Sequence, residues 1–210
     1  MTPRLILAST SPRRRELLAH LGLPFEVAAS RFDESLLSPI GLPPADYVTQ
    51  LAQGKAAEVA ARLAAPEAVI IGADTTVVLD GDVLNKPLDP ADAARMLRRL
   101  SGRTHEVYTG LCVIRGERIQ TAHSVTTVTF DTLTDDTITA YVATGEPLDK
   151  AGAYGIQGQG LGFIPKIDGD YYTVVGLPLT LLRGLLLSDF PNVKAAPDGP
   201  LTPNSGGAGS

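Results

Sequence analysis

Ala68-Val69-Ile70-Ile71-Gly72-Ala73-Asp74-Thr75-Thr76-Val77-Val78-Leu79 is a long apolar run, rich in β-branched residues and followed at once by the turn signal Asp80-Gly81-Asp82. It reads as a buried strand, bent at Gly72, that enters a hairpin. One residue breaks the pattern. A carboxylate at Asp74 is costly to bury unless it is hydrogen-bonded or holds a cation. Two readings fit it: a turn-capping aspartate, or a strand-end carboxylate facing a cleft, where it binds a divalent metal or activates water.

Upstream of this strand, Arg4 to Ala8 suits a short buried strand, and Ser9-Thr10-Ser11-Pro12 ends it. Pro12 then suits the first position of a helix running to about Leu21. Phe25 to Ala28 reads as a second strand, and Ser30 to Pro44 as a proline-interrupted loop. Ala45 to Leu63 is the clearest helix, with Val48, Leu51, Lys55, Val59 and Leu63 at helical spacing.

Downstream, Asp89-Pro90 opens a helix to about Leu100. His105 to Ile114 and Ile119 to Phe130 form a hairpin around Gly116. Thr134 to Thr144 reads as a capped helix stopped by Gly145, and Gly152 to Gly162 as a glycine-rich loop. Phe163 to Ile167 and Tyr171 to Val175 flank a turn at Asp168-Gly169-Asp170, and Leu177 to Leu187 is a last apolar helix. Strands and helices alternate with hairpins among them, which predicts an α/β domain with a mixed sheet over residues 1–190. From Pro191 to Ser210 the chain is rich in Pro, Gly, Ser and Asn, and a disordered tail is expected.

The bulk numbers exclude several classes. A chain of 210 residues suits one domain, or one domain with two lobes around a cleft. A net charge of −5 argues against binding nucleic acid polymers or an anionic membrane through bulk electrostatics, so any bound anion needs a local basic cluster. The one cysteine, Cys112, precludes an internal disulfide. No run of about 18 apolar residues occurs, and the short apolar stretch before Arg13-Arg14-Arg15 does not make a signal peptide. A cytoplasmic location is expected.

Three arginines in the first turn of a helix oppose its dipole by roughly 0.3–1 kcal/mol each. A bound anion reverses that sign, because N–H groups, hydroxyls and guanidinium forks then converge on it. Arg13 is placed nearest such a ligand, with Arg14 as a second contact; a solvated basic face partnered by Glu16 is the plainer alternative. Lys55 lies on the apolar stripe of its helix, where it either snorkels outward or reaches a phosphate. Lys86 follows a hairpin strand in Leu84-Asn85-Lys86-Pro87, where a surface lysine is the ordinary explanation. Asp33-Glu34 sits in a loop and can add a second metal carboxylate. The glycine-rich loop matches neither a P-loop nor a dinucleotide fingerprint, although Gln157 or Gln159 can read a base edge. No serine-hydrolase elbow or zinc-protease spacing occurs.

Read together, several blocks in order resemble the Maf family, from Leu5 to about Leu187. They are Leu7-Ala8-Ser9-Thr10-Ser11-Pro12-Arg13-Arg14, Gly72-Ala73-Asp74-Thr75, Lys86-Pro87, Leu100-Ser101-Gly102-Arg103-Thr104-His105 with Thr109-Gly110, and the stretch from Gly145-Glu146-Pro147-Leu148-Asp149-Lys150 to Ile156-Gln157-Gly158. The resemblance implies an elongated mixed β-sheet flanked by helices, with two lobes and a central cleft. It also implies a divalent cation (Mg²⁺ or Mn²⁺), cleavage of a nucleoside triphosphate between its α- and β-phosphates, and a homodimer. By match to the family's motifs, Asp74 is the proton acceptor, and Arg13, Thr75 and Gln157 govern substrate choice. Lys55, Lys86, Ser11 and Glu34 correspond to polar residues of the phosphate and metal site, with Asp74 and Glu34 as metal carboxylates. Ala73-Asp74-Thr75 with Ile156-Gln157-Gly158 looks like the branch acting on dTTP and UTP, which implies house-cleaning of nucleotide pools. Competing readings are the related 7-methyl-GTP branch, a non-catalytic nucleotide sensor in cell division, and a phosphosugar enzyme.

Overall fold

The computed structural model describes residues 3–197. Strand β1 (Leu5–Leu7) leads into helix α1 (Pro12–Ala19), followed by β2 (Glu26–Val27), α2 (Pro44–Leu63), β3 (Val69–Leu79) and β4 (Asp82–Leu84). Helix α3 (Pro90–Leu100), the long hairpin β5 (Thr104–Arg115) and β6 (Arg118–Thr129), α4 (Asp135–Ala143), β7 (Lys166–Asp168), α5 (Tyr171–Val175) and α6 (Leu179–Leu186) follow. The strands form one sheet in the order β2-β1-β3-β5-β6-β7, with β4 also paired to β3. β1 is parallel to β2 and β3, and the other pairings are antiparallel, so the sheet is mixed. No helix among the described residues is long and apolar enough to cross a membrane.

Local signals start and stop the elements. The Asp89 carboxylate accepts a hydrogen bond from the Asp92 N–H at 2.7 Å, and Pro90 occupies the first turn of α3. Thr134 caps α4 in the same way, through the Thr137 N–H at 3.2 Å. The segment after Asp168-Gly169-Asp170 differs from a strand-turn-strand pattern. Asp170 accepts from the Tyr172 N–H at 3.1 Å and so caps a helix, α5, where a β-rich run of Tyr and Val stands.

Strand β3 is the spine. It runs unbroken through Gly72 and alternates sides: Val69, Ile71, Ala73, Val77 and Leu79 face one way, Ile70, Asp74 and Thr76 the other. The first face carries two separate cores. Near β1, Leu5, Leu17, Ile71, Leu111 and Leu182 gather beneath α1 and α6. Near β4, Val77, Leu97, Val107, Phe130 and Tyr141 gather beneath α3 and α4. These cores are the two lobes. The second face is covered by α2, where Ala52, Ala56 and Val59 meet Ile6, Ile70 and Cys112.

Helix α2 lies unusually close to the sheet. A Cβ on Gly72 would stand 2.1 Å from the Ala52 carbonyl oxygen, and one on Gly110 would stand 2.4 Å from that of Val48. Gly72 therefore serves close helix–sheet approach and makes no break in the strand.

Residues 191–197, the first part of the expected tail, are held against the domain. Val193 is buried, the Lys194 N–H donates to the Leu21 carbonyl at 3.1 Å, and the Tyr172 hydroxyl donates to the Pro197 carbonyl at 3.3 Å. Phe190 and Val193 anchor the segment, a local effect that averaged composition hides. Residues 198–210 lie outside the described residues.

Replacing Gly72 by Ala is expected to lower stability by at least about 1–3 kcal/mol, because the obstructing atom is backbone and cannot turn aside. A urea titration of both variants checks this: Gly184→Ala in α6, where nothing lies within 4 Å of the new Cβ, should be neutral or stabilising.

Candidate active site

The cleft follows from sheet connectivity. β5 pairs one edge of β3 along almost its whole length. On the other edge, β1 covers only Val69–Ile71 and β4 only Val77–Leu79, leaving Gly72 to Thr76 without a strand partner on that edge among the described residues. β1 is parallel to β3 and β4 antiparallel, so the carboxyl ends of both point into this gap. A crevice at the carboxyl ends of strands where neighbouring connections diverge is a recurrent ligand site in α/β sheets. Here it is a cavity of about 670 Å³, a volume in the range that holds small-molecule ligands.

Most of the residues singled out from sequence meet there. Ser11, Arg13, Arg14, Glu34, Lys55, Asp74, Thr75 and Lys86 all line the cavity. Asp74 projects toward α2, and the Lys55 ammonium stands 2.5 Å from its Oδ1 and 2.9 Å from Oε1 of Glu34. Lys55 thus lies with its stem along the sheet between Leu51 and Val59 and does not snorkel away. Close packing at Gly72 and Gly110 brings this turn of α2 within reach of β3. Glu34 stands on a single 3₁₀ turn (Glu34–Leu36) whose cap, Asp33, accepts from both the N–H and the hydroxyl of Ser35.

The two carboxylates that share Lys55 are pushed apart in proton affinity. Burial raises the Asp74 pKa above the ordinary carboxylate range, against the pull of Lys55 and Arg14. Burial also acts on Glu34, but hydrogen bonding and attraction from Lys55, with the charges of Lys86 and Arg14, outweigh it and lower its pKa. Such a split suits one carboxyl to proton transfer and the other to remaining charged.

The arginine turn is held by α1. Ser11 Oγ caps the helix by accepting from the Arg14 N–H at 3.4 Å, and the Ser11 N–H donates to Ser9 Oγ at 3.2 Å. Arg14 is clamped: its Nε donates to the Gly176 carbonyl at 2.9 Å and its Nη2 to Thr75 Oγ1 at 3.1 Å. Burial lowers its pKa, although the guanidinium keeps its charge. Arg13 is looser, with its nearest carboxylate, Asp149, at 3.9 Å. Arg15 is exposed and lies outside the lining, and Glu16 forms no ion pair with any of the three arginines among the described residues.

Gln157 is different. It is exposed and is not part of the cavity lining. The glycine-rich loop is filled from within: Glu146 accepts from the Tyr141 hydroxyl at 2.9 Å and from the Gln159 N–H at 3.0 Å. Its close backbone approach therefore serves a carboxylate of the chain itself, with Gln157 left on the outside.

Sequence reasoning passed over several lining residues. Tyr47 and Asn85 line the cleft and are tied together, with Asn85 Nδ2 donating to the Tyr47 hydroxyl at 3.2 Å and Thr76 Oγ1 donating to Asn85 Oδ1 at 3.1 Å. Asp149 and Lys150 also line the cleft, as an ion pair at 2.6 Å. Nothing in local spacing marks Tyr47. The Asp149-Lys150 pair does sit inside a block quoted for the family resemblance, and Asn85 directly precedes the block Lys86-Pro87.

The chain matches the family model described as Maf-like protein over residues 4–188. It is similar to the dTTP/UTP pyrophosphatase of Moorella thermoacetica, with 58% identity covering 87% of this chain and 93% of that one. It is also similar to the dTTP/UTP pyrophosphatase of Bacillus velezensis, with 52% identity covering 93% of this chain and 100% of that one. Among solved structures, the Staphylococcus aureus Ham1 protein aligns with a TM-score of 0.46 at 13% identity, over 89% of this chain and 99% of that one, a likeness too weak to carry an argument. With a family model spanning nearly all of the domain, and relatives sharing more than half of the aligned residues, the chain belongs to the Maf family.

Proposed function

We propose that this protein is a nucleoside triphosphate pyrophosphatase that hydrolyses dTTP and UTP to the monophosphate and pyrophosphate. One observation carries the reading: Arg13 and Asp74 open onto the same cleft, so a polyphosphate gripped at the arginine turn lies beside a carboxylate of raised pKa. The names of the relatives from Moorella thermoacetica and Bacillus velezensis support the substrate assignment.

In this reading Arg13, Arg14, Lys55 and Lys86 neutralise the triphosphate and hold it in line. A water oxygen attacks the α-phosphorus, the bond from that phosphorus to the bridging oxygen breaks, and pyrophosphate leaves. Asp74 accepts the proton of the attacking water. Glu34 remains ionised and keeps Lys55 oriented. Thr75 and Gln157 are proposed to bear on substrate choice, Gln157 from the outer rim.

The donor set fits a divalent cation, Mg²⁺ or Mn²⁺. Asp74 and Glu34 already converge on one positive centre, the Lys55 ammonium. No group of three or more acidic, histidine or cysteine side chains is arranged to hold a metal among the described residues. Two carboxylates suit a hard cation that completes its shell with water and phosphate oxygens. Asp74 and Glu34 would hold it, and when bound it supplies charge neutralisation on the phosphate oxygens. A cytoplasmic location and a homodimer belong to the same proposal, as does the removal of surplus or modified pyrimidine nucleotides.

Pyrophosphate release measured over dTTP, UTP, CTP and 7-methyl-GTP should favour the first two, vanish with a chelator and return with Mg²⁺. Preferred turnover of 7-methyl-GTP would overturn the substrate assignment.

Asp74→Asn separates chemistry from stability. Because the folded pKa lies above the unfolded one, the stability contributed by Asp74 is fullest below the unfolded value and is lost as pH rises through the folded value. A neutral amide escapes that loss. The variant should keep or raise Tm at neutral pH, while kcat falls about 10²–10⁴-fold and the rise of rate with pH disappears. Retained turnover would remove Asp74 from its role as base.

A further inference from the structure

The inner face of the sheet is apolar in both lobes, yet a row of hydroxyls crosses it between them. Thr75, Thr109 and Ser124 are direct cross-strand partners on β3, β5 and β6. Thr109 is fully buried and does not line the cleft. A buried hydroxyl at the seam of two hydrophobic cores costs stability unless its hydrogen bonds are made, so the direction of those bonds matters.

That direction can be deduced. Thr109 Oγ1 donates to the Thr173 carbonyl at 2.7 Å, and a carbonyl can only accept, so the single hydrogen of Thr109 is spent there. In the 2.9 Å contact between Thr75 Oγ1 and Thr109 Oγ1, the donor is therefore Thr75. The hydrogen of Thr75 is in turn committed, and its oxygen accepts from Nη2 of Arg14 at 3.1 Å. The result is a one-way relay from the Arg14 guanidinium through Thr75 and Thr109 to the Thr173 carbonyl.

Both ends of the Arg14 clamp rest on one segment. Thr173 lies in α5, and Gly176, which accepts from Arg14 Nε at 2.9 Å, is its C-cap. α5 is tied to the sheet by the Thr173 hydroxyl, 2.7 Å from Ser124 Oγ and 3.0 Å from Asp170 Oδ2. The Nε and Nη2 edge of Arg14 is thus consumed by protein, while the Nη1 end of the fork has no partner among the described residues and belongs to a side chain lining the cleft.

We infer that Thr109 is a positioning residue for nucleotide binding: through Thr75 it fixes the Arg14 guanidinium so that the free end of its fork meets a phosphate. Thr75 then bears on the substrate through Arg14, since its own hydrogen is not available to a ligand. The inference rests on the proposed reading of the cleft as a nucleotide site.

The test compares steady-state hydrolysis of UTP by wild type, Thr109→Val, Thr109→Ser, Arg14→Ala and the double variant Thr109→Val with Arg14→Ala. Valine keeps the shape and removes the relay, so KM should rise about tenfold with kcat changed much less. Serine retains the hydroxyl and should restore KM. The double variant should have the KM of Arg14→Ala alone, because Thr109 has nothing left to position. An unchanged KM in Thr109→Val, or KM increases that multiply in the double variant, would overturn the inference. If Thr109→Val does not fold, Thr75→Val interrupts the relay one step nearer Arg14 and must give the same rise in KM. A wild-type protein inactive on UTP and dTTP would instead sink the nucleotide reading itself.

Discussion

The closeness of α2 to the sheet is the constraint on which the rest depends. Two glycines on adjacent strands, Gly72 and Gly110, let helix backbone rest almost on strand backbone, where any side chain would collide with a carbonyl oxygen. Only at that separation does Lys55, one turn beyond Leu51, reach the carboxylate of Asp74 on the strand beneath it. The ion pair then recruits Glu34 from a loop with little regular structure of its own. Packing comes first, and the electrostatics of the site is its consequence.

The charges of the cleft explain how a protein of net charge −5 can attract a polyanion. Arg13, Arg14, Lys55, Lys86 and Lys150 line it against Glu34, Asp74 and Asp149, so the local sign opposes the global one. The acidic groups are not equivalent. Lys55 is shared between Glu34 and Asp74, but burial prevails over the neighbouring charges at Asp74 alone, so the pair divides into one carboxyl of raised pKa and one of lowered pKa. Asp149, held low in pKa by Lys150 and Arg13 against the effect of burial, supplies a counter-charge beside Arg13.

The two lobes are one sheet seen at two places along its length. β3 and β5 pass through both cores, and where the cores part, the alternation of apolar residues is interrupted by the cross-strand pair Thr75 and Thr109. On the open edge of β3 the same interval lacks a strand partner. The seam between the cores and the gap between β1 and β4 therefore coincide, and the cleft opens where packing on the face and pairing at the edge both lapse.

Much of this was legible in local pattern. A β-rich run around Gly72, the capped helix at Asp89-Pro90, the hairpin around Gly116 and the periodic helix carrying Lys55 depend on interactions between residues near in the chain, so the sequence by itself determined them. Anomalies were legible too: a carboxylate in an apolar strand and arginines at the wrong end of a helix dipole are unfavourable until something compensates. What compensates them is long-range and was decided by tertiary structure alone. The order of the strands put Asp74 in a gap, α5 took its helical turn from the Asp170 cap against the β preference of Tyr171-Tyr172-Thr173-Val174-Val175, and Glu146 filled the loop that leaves Gln157 outside. Arg13 and Arg14 look alike in sequence, yet Arg14 is clamped by residues 61 and 162 positions away while Arg13 meets only a carboxylate, Asp149, at 3.9 Å. Periodicity and capping act within a few residues, whereas the partner of a buried charge is chosen by how whole elements pack.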